Sequence, residues 1–184
     1  MLREMAAGCR FCMYCGETLG SAIDHHQPIA MNPARTFDWL NHLLACDFCN
    51  SHYKRDQYPV DAAGHCLLID PTAEDPLDHL FLVLSLGKYR ALTDKGAATI
   101  KVCGLDRPLL ERGRQRAFQQ VKYAVAAWDR GDDRAKSQAA WTLREQPHAD
   151  VFHAMLRQAD SPGAREIFDG DDVLIARLRR FKDS

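Results

Sequence analysis

Two cysteine pairs, Cys12-Met13-Tyr14-Cys15-Gly16 and Cys46-Asp47-Phe48-Cys49-Asn50, have metal-ligand spacing. Four thiolates around Zn²⁺ form a closed tetrahedral site with no position left for substrate, so such a centre is structural. It can contribute on the order of 10 kcal/mol to folding. Cys9 also stands three residues before Cys12, which leaves a Cys9/Cys12 pair as an alternative. The Cys12/Cys15 pair is preferred because a glycine directly after the second cysteine suits a tight knuckle turn.

Thirty residues separate Cys15 from Cys46, more than a simple zinc ribbon needs. The insertion holds Asp24-His25-His26-Gln27-Pro28 and Asn41; Asn50 directly follows the last cysteine, with His52 and Lys54 beyond it. These residue types suit phosphodiester hydrolysis, which requires an activated water and relief of negative charge at the phosphate. An imidazole can accept the water's proton near neutral pH. A carboxylate and an amide carbonyl are hard oxygen ligands for Mg²⁺ or Mn²⁺. A soft sulfur site and a hard oxygen site would then stand side by side, sorted by ligand type. In isolation, Asp24-His25-His26 reads as a loop with two solvated histidines.

The order CxxC, DHxxP, N, CxxCN, K over residues 12–54 resembles the zinc-stabilised HNH endonucleases of the ββα-metal (His-Me finger) class. The resemblance implies His25 as general base, with Asp24 and Asn50 as ligands of a catalytic Mg²⁺ or Mn²⁺. It implies that Asn41 braces the loop carrying the histidine and that His26 points into the core, with His26 as the base being the alternative register. Lys54, at i,i+4 from Asn50, would reach towards phosphate from the same helix face, with His52 as a second substrate contact. Many members place the lysine three residues after the asparagine, where this chain has Tyr53.

The elements that must position these residues are partly legible. Residues 1–60 read as a small zinc-bound HNH unit. Residues 61–104 read as a short strand extension packed on it: Leu80–Leu86 and Lys88–Leu92 flank Gly87 as a hairpin, and Ala98–Val102 is a candidate third strand. From Asp106, a candidate N-cap, with Pro108 in the first turn, the periodicity becomes helical. Helices are expected from about 108 to 131 and over 133–146, 148–160 and 171–181, so residues 105–184 form a helical C-terminal region. The fold class is α+β. Cys66 and Cys103 read as inert core thiols, and His153, beside Phe152, as a core residue.

The chain has 184 residues, 46% hydrophobic and 27% charged, the mixture of a globular protein. No apolar run would span a bilayer, and the first residues lack a signal-peptide core, so a cytoplasmic protein is expected, with no membrane partner. The net charge is −1, and residues 1–60 hold five Lys/Arg against six Asp/Glu. That is a poor match for an autonomous DNA-binding protein. Basic residues concentrate instead over 107–122 and 177–182.

Downstream segments, namely Asp70-Pro71, Glu74-Asp75-Pro76 with His79-Leu80, Lys95-Gly96 with Thr99-Ile100, and Gly104-Leu105-Asp106-Arg107 with Arg114, are similar to the extension of HNH nuclease subunits in Septu-type antiphage systems. That resemblance implies a DNA substrate and an ABC/SMC-like ATPase partner, with a homo-oligomer as the alternative assembly. Trp128, Trp141, Phe152 and Phe168 are candidates for a docking surface. The rival reading of the whole chain is a non-catalytic zinc-binding module that contacts nucleic acid or protein.

Overall fold

The computed structural model describes residues 10–184 and shows an α+β protein with two small antiparallel sheets. Strands β1 (Ala22–His25) and β2 (His42–Ala45) pair antiparallel, with Asp24 opposite Leu43 and His25 opposite His42. A seven-residue helical segment, Phe48–Lys54, follows at once. Its winding is π rather than α: the Arg55 N–H donates to the Asn50 carbonyl at 2.7 Å, five residues back. Arg55 then ends the segment with a positive φ of 51°.

Strands β3 (Leu80–Val83) and β4 (Lys88–Ala91) form the expected hairpin, and its turn carries Gly87 at φ 63°. The third strand expected at Ala98–Val102 is instead part of helix α1 (Asp94–Cys103). The ends of this segment decide its conformation. The Thr93 hydroxyl caps the Gly96 N–H, and Gly104 closes the helix in the left-handed region at φ 59°. A short β-branched run between such caps follows the caps, not its strand propensity.

Five more helices follow: α2 (Pro108–Arg130), α3 (Asp133–Glu145), α4 (Ala149–Ala159), α5 (Ala164–Ile167) and α6 (Asp172–Lys182). Pro108 opens α2, where its missing N–H costs nothing. The four-residue α5 has no counterpart in the sequence reading.

Two compact units result. One comprises the chain up to Phe81 together with Tyr89–Leu110, and the other Leu82–Lys88 with Glu111–Ser184. The first unit's core joins the four knuckle cysteines to Leu68, Ile69, Leu80, Val102, Leu105 and Leu110. Cys103 lies buried in it, its thiol pushed up to about 12 by burial, as expected of an inert core cysteine. Cys66 is only half-buried.

In the second unit, Phe181 packs between Trp128 and Phe152 at centroid distances of 4.8 and 5.0 Å. Trp128, Phe152 and Phe168 are therefore core residues and not part of a docking surface. Of the four aromatic candidates only Trp141 is exposed, at 61%. His153 corrects the opposite way and is exposed.

The downstream sequence segments interlock within the first unit. Glu74 pairs with Lys95 and lies 3.5 Å from His79, whose Nδ1 is 2.9 Å from the Thr93 hydroxyl. The Ile69 N–H donates to the Thr99 hydroxyl at 2.9 Å. Gly96 lies against the backbone at His79, and a Cβ there would sit 2.1 Å from the His79 carbonyl oxygen. Gly96→Ala must push backbone apart, and we expect a loss of about 1–3 kcal/mol. For a chain of this size that is a melting temperature roughly 2–12 °C lower, measurable by circular dichroism; an unchanged melting curve would refute this packing.

Candidate functional site

Cys12, Cys15, Cys46 and Cys49 come together with all four sulfurs within 4.8 Å of one another. Each is buried, and Cys15 Sγ lies 3.9 Å from Cys46 Sγ. A tetrahedron with Zn–S bonds of about 2.3 Å has edges of about 3.8 Å, so the donor set fits structural zinc. The two knuckles have the local geometry such a site needs. Gly16 takes φ 66° behind Cys15, and the Cys49 N–H points at Cys46 Sγ at 3.5 Å. Mutual contact among the thiols pushes Cys15 and Cys49 above the ordinary thiol range and Cys12 and Cys46 below it. Four sulfurs in this contact can ionise together only around a cation. Cys9 lies outside the described residues.

Arg107, in the turn between α1 and α2, adds a contact to this centre. Arg107 Nη2 donates to Cys49 Sγ at 3.4 Å, while its guanidinium stands 4.7 Å from the Tyr53 ring and 5.8 Å from Phe48. A guanidinium beside a tetrathiolate offsets part of its negative charge. The sequence signal was only a basic residue after Gly104-Leu105-Asp106, too general to suggest a thiolate partner.

Beside the sulfur cluster, β1 points Asp24 inward. Its carboxylate is 5% exposed and paired with Lys54 Nζ, at 2.9 Å from Oδ2 and 3.2 Å from Oδ1. Lys54 Nζ also donates to the His25 carbonyl at 2.9 Å, and Tyr14, inside the first knuckle, donates its hydroxyl to Asp24 Oδ2. Burial first, and then the Asp24 charge, hold the Tyr14 phenol well above its usual range, so it stays protonated and remains a donor. Lys54, expected to reach phosphate, is wholly buried. Within the π segment Cys49 and Lys54 are the buried residues, and Lys54 turns into the interior onto Asp24. His52 stays exposed, 3.2 Å from Asp47 Oδ2.

His25 is half-buried at the end of β1, its ring 4.7 Å from that of His42. Its Nε2 lies 3.1 Å from the Thr36 carbonyl oxygen. A carbonyl can only accept, so Nε2 carries the proton and Nδ1 is the basic nitrogen of the neutral ring. His26 points the other way and is buried, edge-on to Tyr58 at 5.7 Å, with burial holding it below the ordinary imidazole range and therefore neutral.

Asn41 fixes the loop that follows His25. It is fully buried; Oδ1 accepts from the Gln27 N–H at 2.8 Å, and Nδ2 donates to the Gln27 and Arg35 carbonyls at 3.1 and 3.2 Å. Its own carbonyl accepts from the His26 N–H at 2.9 Å. Every hydrogen-bonding group of this side chain is thus engaged with backbone. Asn50 sits half-exposed in the π segment, and its side-chain amide has no hydrogen-bond partner among the described residues.

Fold and site together define an α+β protein built around a Cys₄ centre that fits structural zinc. Over part of its length the chain is similar to the Septu protein PtuB of Bacillus mycoides (strain KBAB4), at 26% identity over 97 residues, 46% of this chain. Those residues are 33% of that relative, so the chain spans about a third of the length of the curated protein it matches. No protein family profile and no solved structure matches the chain. No described helix is long and apolar enough to cross a membrane.

The purified protein should hold one zinc per chain by elemental analysis. Cys12→Ser or Cys49→Ser should abolish both zinc and folding, whereas Cys9→Ser should retain both. Lys54→Ala, which strands a buried carboxylate, should cost about 3–5 kcal/mol in chemical denaturation. A Lys54→Ala protein as stable as the parent would show that this lysine faces solvent.

Proposed function

We propose that this chain is a metal-dependent HNH-type endonuclease acting on DNA as the effector of an antiphage defence complex. The observation that carries the reading is the His25 ring: its Nε2 proton is held by the Thr36 carbonyl, and its neighbour on the same strand is Asp24. A histidine oriented through one nitrogen by a backbone carbonyl has its other nitrogen in the correct tautomer to take a proton from water. Asn41 supports that geometry by tying the start of the loop between β1 and β2, at Gln27, and its middle, at Arg35, to its end. The similarity to a Septu protein supports the defence setting, and the ordered motif over residues 12–54 supports the nuclease class.

Asp24 and Asn50 are the residues that would hold a catalytic Mg²⁺ or Mn²⁺. Asn50 fits as an unengaged amide; Asp24 has one carboxylate position left beside those taken by Lys54 and Tyr14. Such an ion, when bound, stabilises charge on the phosphate and the leaving oxygen. Lys54, held under the His25 carbonyl, positions β1 on the π segment and does not contact substrate. His52, exposed on that segment, remains a candidate phosphate contact.

An ABC/SMC-like ATPase, or a second copy of the chain, is the proposed partner. The loop between β1 and β2 exposes Met31, Phe37 (92%) and Leu40, apolar side chains suited to association. The second reading, a non-catalytic zinc module, draws on the Asp24–Lys54 pair, which already neutralises the carboxylate that an ion would need.

A plasmid-nicking assay with added Mg²⁺ or Mn²⁺, run with and without the products of neighbouring genes, separates the two. Cleavage should appear with a divalent ion and fall roughly 10²–10⁴-fold in His25→Ala, with zinc content unchanged. His26→Ala should cost far less if it folds. Wild-type and His25→Ala proteins that cleave equally, or a wild type inert with every partner and ion, would leave the zinc module as the function.

A further inference from the structure

The chain has two basic runs, and the tertiary structure disposes of them differently. In the run at 177–182, Arg177 and Arg180 both pair with Asp129, at 3.0 and 2.7 Å, while Arg179 and Lys182 pair with Asp160. In the run at 107–122, Arg107 is committed to Cys49 and the buried Arg114 donates to the Gly87 carbonyl. Arg112, Arg116 and Lys122 remain. Among the described residues none of the three has an ion-pair partner, and the acid nearest in sequence, Glu111, is paired with Lys88 at 3.6 Å.

These three line one open groove of about 600 Å³ in the second unit, with Gln115, Gln119 and a single carboxylate, Asp169. Positions 112, 115, 116, 119 and 122 fall on one face of α2 by helical periodicity. Lys122 is held there by the Phe118 ring, 4.6 Å from its ammonium. At a rise of about 1.5 Å per residue, Arg112 and Arg116 stand roughly 6 Å apart along the axis, and Lys122 a further 9 Å or so.

We infer that this groove binds the phosphodiester backbone of a nucleic acid strand. The charges run in a row and do not converge on a point, which suits a polyanion better than a single phosphate. Arginine forks match phosphate oxygens in pairs, and the glutamine amides add neutral donors of the kind that contact backbone without reading sequence. An amphipathic helical peptide would need apolar anchors. The apolar lining offers little of that kind, since Leu84 and Phe118 are only 3% and 8% exposed. The site does not depend on the nuclease reading: it would hold strand for a catalytic unit or for a zinc module alike. It also supplies the local basic surface that residues 1–60, with five basic against six acidic residues, lack.

The test is fluorescence anisotropy of labelled single-stranded DNA, duplex DNA and RNA, without added divalent ion, on the full chain across a salt series. A His25→Ala background prevents cleavage and keeps the result separate from catalysis. Changing Arg112, Arg116 and Lys122 together to Gln should weaken binding at least tenfold at low salt and lower the log–log salt slope by about 2–3, the share of three phosphate contacts. Arg130→Gln with Arg134→Gln, exposed on other parts of the unit, should change neither quantity. Circular dichroism and zinc content confirm that each variant is folded. Undiminished affinity and slope in the triple variant would overturn the inference. So would a wild type that binds no nucleic acid, or one that binds a labelled polyglutamate peptide more tightly than any of the three strands.

Discussion

Four sulfur atoms within 4.8 Å of one another hold residues 12–15 against residues 46–49, and the rest of the first unit is arranged around that constraint. Bringing these segments together closes a loop of about thirty residues, an entropic cost that a few apolar contacts in a small unit would barely offset. A cation that binds four thiolates can offset it, because the ligands converge only in the folded state. Strand β2 leads directly into the second knuckle, and Met13 in the first donates its N–H to the Leu44 carbonyl at 2.8 Å. The sulfur cluster therefore sets the register of the β1–β2 pair, and with it the faces to which Asp24 and His25 point.

Several charged side chains of this protein are committed to its interior. The Asp24–Lys54 pair is buried, with Tyr14 and the His25 carbonyl satisfying its remaining groups, the arrangement in which a buried ion pair is tolerable. Arg107 donates to Cys49 Sγ and stands close to two aromatic rings, and Arg114 is buried with its donor on the Gly87 carbonyl of the β3–β4 turn. A net charge of −1 conceals this partition. Basic side chains committed to structure are lost to any anionic ligand, so the groove on α2 matters more than the overall balance suggests.

The strongest part of the site is rigid by the same logic. The Asn41 side chain engages three backbone groups from a fully buried position, so hydrogen bonds specify the loop after His25. That loop can consequently expose Phe37 and Leu40 without losing its shape. An imidazole whose orientation is fixed while its surroundings stay open is a suitable base, and equally a suitable anchor for a partner that covers it.

The sequence by itself determined the α+β class, the two CxxC pairs, the β3–β4 hairpin and the longer helices of the C-terminal half. Each of these rests on local spacing: CxxC for a tetrahedral ligand pair, a turn glycine between apolar runs, periodicity near 3.6 between caps. Ala98–Val102 was misread because its β-branched residues favour a strand, whereas Thr93 and Gly104, just outside the window, close a helix. Only the tertiary structure decided the fate of the charged residues. Lys54 was placed by α-helical spacing from Asn50, but it is buried and paired with Asp24, thirty residues away. The two basic runs were equivalent as sequence and became different because Asp129 and Asp160 met one of them and no carboxylate met Arg112, Arg116 or Lys122 among the described residues. Pairing across such distances depends on which surfaces the core brings together, and no local pattern in the chain encodes that.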